Sequence, residues 1–178
     1  MTTSTAITLA PGHWTLDATQ SSIGFTVRKL GLFRVNGEFQ RFDTEFVVDD
    51  SGAAAIEATV HLASFKTKSA KRDEHVRNAD FLDVENRPTM TFRAPAPVRI
   101  GESFDVTGQV TYAGQTHPLT LTTTWNGLRP HAVTGRNSIG FTATGSFDRT
   151  AFGVGPNSGG LIGKLLTVTL GVQLIEPV

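Results

Sequence analysis

Alternation of apolar and polar residues with a period of two runs through most of this chain, and it restricts the fold to sheet structure. Ile23, Phe25 and Val27 share one face of a first run, with Thr26 and Arg28 on the other. Val35, Gly37 and Phe39 begin a second, and Phe42, Thr44, Phe46 and Val48 carry it on out of phase. The change at Gln40-Arg41 predicts a bulge or bend, a device of barrels and curved sheets. Further runs are Ile56 to Leu62, Met90 to Phe92, Val106 to Tyr112, Leu119 to Trp125, Ile139 to Phe147 and Leu166 to Leu174. Turn chemistry falls at Asp49-Asp50-Ser51-Gly52, Ala113-Gly114-Gln115, Asn126-Gly127 and Gly135-Arg136-Asn137. About eight strands joined by short turns make an all-β, mainly antiparallel sheet that must close on itself or form a sandwich.

The exception to the alternation is the block from Arg72 to Phe92. It carries both signs of charge at helical spacing, then Phe81-Leu82, then Pro88 and a further strand. The spacing predicts a helix over about Ser69 to Asn78, with Ser69 as its cap and Asp73 and Arg77 at i, i+4. A weaker helix is expected around Gly160-Lys164. The block reads structurally as a solvated helix packed over a barrel end through Val76, Ala79, Phe81 and Leu82, with Arg72, Asp73 and Arg77 in surface ion pairs. Functionally it reads as Arg72, Asp73 and His75 at the mouth of a cavity, meeting a ligand head group. A lid satisfies both readings.

Bulk properties narrow the rest. A length of 178 residues suits one domain, expected over residues 13–178 behind a loose tail of residues 1–12. Sixteen basic residues balance sixteen acidic ones, which argues against nucleic acid as a partner. The chain has no cysteine, so disulfides, thiolate metal sites and cysteine nucleophiles are excluded. Residues 1–11 lack the charge and apolar run of a signal peptide, and no stretch reaches membrane-helix length. The expectation is a soluble cytoplasmic protein without an integral membrane segment, with a homodimer as a further option.

Twelve phenylalanines supply the apolar side of nearly every strand, while Gly37, Gly108, Ala143 and Gly145 punctuate the same faces. Large and small residues in alternation can fill a tapering barrel or leave an apolar cavity; the pattern alone favours the filled core. Catalytic signatures fail. Gly159 to Leu165 lacks the spacing and the hydroxyl residue of a phosphate-binding loop, and Gly153 to Ser158 lacks a dinucleotide fingerprint, so both read as flexible glycine-rich loop. His13, His61, His75, His117 and His131 show no metal-ligand spacing. No nucleophile elbow or carboxylate pair stands out, and no metal or cofactor is expected.

Trp14-Thr15-Leu16-Asp17 with Ser21-Ser22-Ile23-Gly24-Phe25, and Leu30-Gly31-Leu32 before Val35-Asn36-Gly37-Glu38-Phe39, resemble the opening of the YceI-like family. The block Arg72-Asp73-x-His75-x-Arg77-x-x-Asp80-Phe81, running on to Pro88-Thr89-x-Thr91-Phe92, resembles its most specific signature. Gly114-x-Thr116-x-Pro118-Leu119-Thr120-Leu121 and Gly140-Phe141-x-Ala143-x-Gly145 through Arg149-x-x-Phe152-Gly153 complete the likeness, from about Trp14 to Ile175. Gly12-His13-Trp14 is similar to the G-x-W with which lipocalin-like barrels open, its tryptophan closing one end. Two positions depart from the family's habit: Gln20 and Lys29 stand where histidine is common. His131-Ala132-Val133-Thr134 replaces a tryptophan-glycine pair.

The resemblance implies a closed eight-stranded lipocalin-like barrel around a long apolar tunnel, with one short helix near its mouth. It implies non-catalytic binding, transport or sequestration of a long-chain amphiphile such as a polyisoprenoid, polyprenyl quinone or fatty amide. The ligand-binding residues expected are Phe25, Val27, Phe39, Phe46, Phe81, Phe92, Val110, Leu121, Phe141, Phe147, Leu161 and Ile162, with Arg72 and His75 at the head group. Two other readings are an enzyme or redox protein acting on an isoprenoid through His75 or His117 with Arg72, and a stress or interaction protein with a filled core.

Overall fold

The computed structural model of the protein describes residues 5–156 and 161–178. The apolar runs become strands β1 (Gly12–Leu16), β2 (Ser22–Lys29), β3 (Phe33–Phe39), β4 (Phe42–Val48), β5 (Ala53–His61) and β6 (Phe65–Lys66). After the helix α1 (Ala70–Arg77) come β7 (Thr89–Arg93), β8 (Val98–Arg99), β9 (Ser103–Tyr112), β10 (Gln115–Pro130), β11 (Asn137–Asp148) and β12 (Ile162–Ile175). Pairing follows β1-β4-β5-β7-β9-β10-β11-β12, and β1 returns to β12 through Thr15–Ile175 and Leu16–Leu174. The ring is a closed, eight-stranded antiparallel barrel. β2 prolongs the β1 stave along β12, and β3 prolongs β4 along β2.

The phase change at Gln40-Arg41 is the bend between β3 and β4. There Gln40 N donates to Ser64 O (3.2 Å) and Arg41 N to Ser64 Oγ (3.0 Å), so the break is filled by the 3-10 turn at Leu62–Ser64. Asn126-Gly127 is not the turn its composition suggests. It lies inside β10 as a bulge against β11, with Gly127 at φ 106°, and the strand runs on to Pro130. Pairing with β11 on one side holds the backbone extended through a sequence that would turn in isolation. The weaker helix expected around Gly160-Lys164 is likewise absent from its described part, since Ile162, Gly163 and Lys164 begin β12; Gly160 lies outside the described residues, as do Asn157 to Gly159 of the glycine-rich loop.

The segment expected as a loose tail is tied down from Ala6 onward. Ala6 bridges Gly101, Ile7 N donates to Ile100 O (3.0 Å), and Leu9 is 3% exposed. Its alternating apolar residues find a groove at the barrel end, which repays the ordering of a short chain. Residues 1–4 of that tail lie outside the described residues.

The two ends of the barrel differ. One gathers the β4–β5 turn, the β10–β11 loop and residues 6–10, and is plugged by Leu9, Trp14, Phe46, Val48, Ala54, Ile100, Ile139, Phe141 and Leu174. Trp14 Nε1 is satisfied by Ala10 O at 3.0 Å. The other end carries the β2–β3 turn, the β5–β7 connection with α1, the β9–β10 turn and the β11–β12 connection. Between them the small residues of the inward faces are already occupied. A Cβ on Gly37 would lie 2.2 Å from the Phe25 ring, and one on Gly108 would lie 2.5 Å from the Phe92 ring. These glycines make room for phenyl rings rather than for a ligand.

Candidate functional site

The helix α1 forms where the sequence places it. Ser69 caps it, accepting from Arg72 N at 3.3 Å. Asp73 does not form the expected ion pair with Arg77 within 4 Å, because a nearer pair of donors competes for it. Thr67 N (2.9 Å) and Thr67 Oγ1 (2.6 Å) both donate to Asp73 Oδ1. Burial pushes this carboxyl's pKa up, but the Thr67 bonds and the nearby Arg77 and Arg72 outweigh it and hold the pKa below the ordinary value. Thr67 Oγ1 also accepts from Arg72 Nε (3.1 Å), and Arg77 Nη2 donates to Phe65 O (2.5 Å). The charged block thus fastens the helix to the strand before it. Downstream, Leu82 N returns to Val76 O (2.9 Å), and the buried Tyr112 hydroxyl at the end of β9 donates to Leu82 O. Ala79, expected in this packing, is exposed instead.

Under this brace lies a cavity of about 760 Å³, within the range of small-molecule sites. Its existence removes the filled-core reading. Phe25, Val27, Phe39, Phe46, Phe81, Phe92, Val110, Leu121, Phe141, Phe147 and Ile162 line it, as do Arg72 and His75. Leu161 does not: it is 54% exposed on the outer rim, because β12 begins one residue later and turns only Ile162 inward. The lining also contains residues that the sequence reading passed over, among them Ile23, Phe42, Phe65, Phe104, Leu166 and Leu170. Their signal was available, since each shares the inward parity of a named neighbour on its own or an adjacent strand. Lys29, Lys71 and His75 border the same cavity and are exposed, so it reaches solvent at the helix end.

Polar groups inside are few. Thr123 Oγ1 is spent on Leu121 O (3.1 Å), whereas Thr44 Oγ1 is buried with no hydrogen-bond partner among the described residues. His75 stands 3.5 Å from Asp80 and meets Phe81 edge-on. His117 is outside the lining; its Nε2 donates to Ala151 O (3.1 Å) and its ring packs on Phe152. Arg149 lines the cavity with its guanidinium spent on carbonyls of Gly163 (2.9 Å), Val154 (2.6 Å) and Ile162 (3.0 Å), which shapes the β11–β12 connection. Among the described residues, no three His, Asp or Glu side chains gather as a metal site would require.

Two departures from the family's pattern meet at the plugged end. Gln20 Nε2 and His131 Nε2 both reach Asp17 Oδ2, at 3.0 Å each. Thr134 N donates to His131 Nδ1 (3.2 Å), which fixes Nε2 as the donor to Asp17. The side-chain bond from Thr19 lowers the pKa of Asp17 below the ordinary value, and the bonds from His131 and Gln20 add to it against the effect of burial.

A closed antiparallel barrel, plugged at one end and open to an apolar cavity at the other, defines the structural class. The chain matches the YceI-like domain family over residues 14–174 and belongs to it. It is 34% identical over 137 residues to a UPF0312 protein of Vibrio cholerae, covering 75% of this chain and 72% of that one. A UPF0312 protein of Pseudomonas aeruginosa is 37% identical over 101 residues, and there the match covers 56% of this chain and about half (53%) of the relative's length. Among solved structures, Burkholderia cenocepacia BcnA superposes with a TM-score of 0.74 at 20% identity, over 89% of this chain and 98% of that one. A structure described as a polyisoprenoid binding domain from Saccharophagus degradans superposes with a TM-score of 0.66 at 16% identity, over 92% and 98%. No helix among the described residues is long and apolar enough to cross a membrane.

Proposed function

We propose that the barrel binds a long-chain amphiphilic lipid (a polyisoprenoid, a polyprenyl quinone or a fatty amide) and carries or sequesters it without chemical change. The observation that supports this is the cavity of about 760 Å³, walled by phenylalanine and aliphatic side chains and open at the α1 end. Burying a methylene contributes about 0.8 kcal/mol, so a few prenyl units gain enough from apolar contact alone to bind tightly. Arg72 and His75 at the opening suit the polar end of such a molecule. The Saccharophagus domain, which shares the fold, is described as binding polyisoprenoids.

Native mass spectrometry and solvent extraction of the purified protein test the reading, with added polyprenol and polyprenyl quinone as probes. The protein is expected to retain or take up one lipid molecule. Ala143→Trp, which fills the cavity from β11, is expected to abolish uptake while the protein stays folded. A wild-type barrel that emerges empty and refuses both probes would overturn it.

A further inference from the structure

The β2–β3 hairpin ends in a way that a water-facing turn does not require. Its tip reads Arg28-Lys29-Leu30-Gly31-Leu32-Phe33-Arg34. Leu30 and Gly31 both adopt the left-handed region, at φ 54° and 69°. Glycine takes this conformation freely and Asn or Asp tolerates it, but leucine is strained in it. The outcome is wide exposure of apolar surface: Leu32 is 84% exposed, Phe33 60% and Leu30 50%. The Leu30 N–H donates to Leu161 O at 2.8 Å, which brings the exposed Leu161 (54%), just ahead of β12, and Leu165 (59%) within it to the same rim. The other large exposed apolar side chains away from the C-terminus, Val47, Leu128 and Val133, lie toward the plugged end.

The charges around this tip are mostly basic. Arg28, Lys29, Arg34 and Lys164 flank it, and residues 28–36 and 161–166 contain no acid. The acid on this rim is Asp148, the cross-strand neighbour of Leu165, and Lys164 and Arg149 lie close enough to act on it. A contiguous apolar patch rimmed by cations matches the interface of a bilayer with anionic lipids, where leucine and phenylalanine enter the acyl boundary and Arg or Lys meets phosphate. Lys29, which borders the cavity, sits at the base of the tip, so the patch and the opening face the same way. We infer that the β2–β3 tip, with Leu161 and Leu165, docks the barrel mouth-first on an anionic lipid bilayer.

This inference rests on the outer surface and stands apart from what the cavity holds. Co-sedimentation with vesicles of phosphatidylcholine, with and without phosphatidylglycerol, tests it. The protein is expected to sediment with the anionic vesicles and to be released by salt. Leu32→Ser with Phe33→Ser is expected to weaken vesicle binding at least about tenfold, while the melting temperature and uptake of detergent-dispersed polyprenol are unchanged. Arg28→Gln with Arg34→Gln is expected to weaken binding about tenfold on anionic vesicles only. Wild-type protein left in the supernatant of both vesicles overturns the inference, as does a serine variant that sediments normally. A dimer in analytical ultracentrifugation that the serine variant dissociates also overturns it, making the patch a contact between copies. A barrel that refuses polyprenol yet sediments with vesicles would sink the cavity reading alone.

Discussion

The plugged end and the open end are built from the same strands, yet they use apolar residues oppositely. At the plugged end Trp14, Ile139 and Leu174 are essentially sealed from water, at 1%, 0% and 1% exposure. At the open end Leu32 and Phe33 stand in solvent, and the rings of Phe25, Phe39 and Phe65 pack together at the cavity wall, 5.1–5.7 Å apart. The first arrangement stabilises the fold by removing surface from water; at the second Phe25 and Phe65 are buried as well, but Leu32 and Phe33 leave surface for something else to cover. Polar groups divide likewise. Asp17 and His131 form a buried pair under the plug, whereas Asp73 spends its charge on fastening a helix that borders the opening. One barrel therefore separates a sealed core from a cavity that opens to solvent.

Substitution at the plug should have the largest effect. Trp14→Ala is expected to cost about 3–5 kcal/mol in urea unfolding, since the surrounding core cannot collapse onto the space. A cost no greater than that of open-end substitutions would dissolve the contrast. Asp17→Asn comes next, at about 1–3 kcal/mol at neutral pH, through weakened bonds to Thr19, Gln20 and His131. Because the folded pKa of Asp17 lies below its ordinary value, its contribution is present above the ordinary carboxylate pKa of 3.8 and is lost as pH falls through the folded one. The difference in stability between wild type and Asp17→Asn should accordingly be flat near neutrality and shrink only in acid. Asp73→Asn should move global stability least. Its mark is local: faster amide exchange across residues 67–77 and faster escape of bound lipid, with the plug's protection unchanged. Faster exchange throughout the barrel, plug included, would place the brace on the wrong side of the comparison.

The strands, the helix cap at Ser69 and the inward parity that selects the cavity wall were all legible in the sequence, because each depends on local periodicity or on a side chain meeting its own backbone. The charged block was legible as a helix but not in its partners. Asp73 and Arg77 have ideal spacing for an ion pair, and only the folded chain brings Thr67 and the Phe65 carbonyl closer. Asn126-Gly127 misled for the same reason, since an adjacent strand decides whether such a pair turns or bulges. Residues 6–10 read as tail because their alternation is short and their groove is made by residues far along the chain. Whether large and small inward residues fill a barrel or line a cavity is a matter of summed volume, which no single position reveals.

The seam between β1 and β12 sets a condition on how the chain reaches this form. Leu16 and Leu174 are paired neighbours, and Asp17 N donates to Gln173 O (2.9 Å), yet nearly the whole sequence separates them. Such a contact carries the full entropy of closing a long loop and cannot form until the last strand has left the ribosome. The seam is therefore the pairing of highest loop-closure cost among the ring's neighbouring strands, and the step a destabilised barrel is expected to lose first.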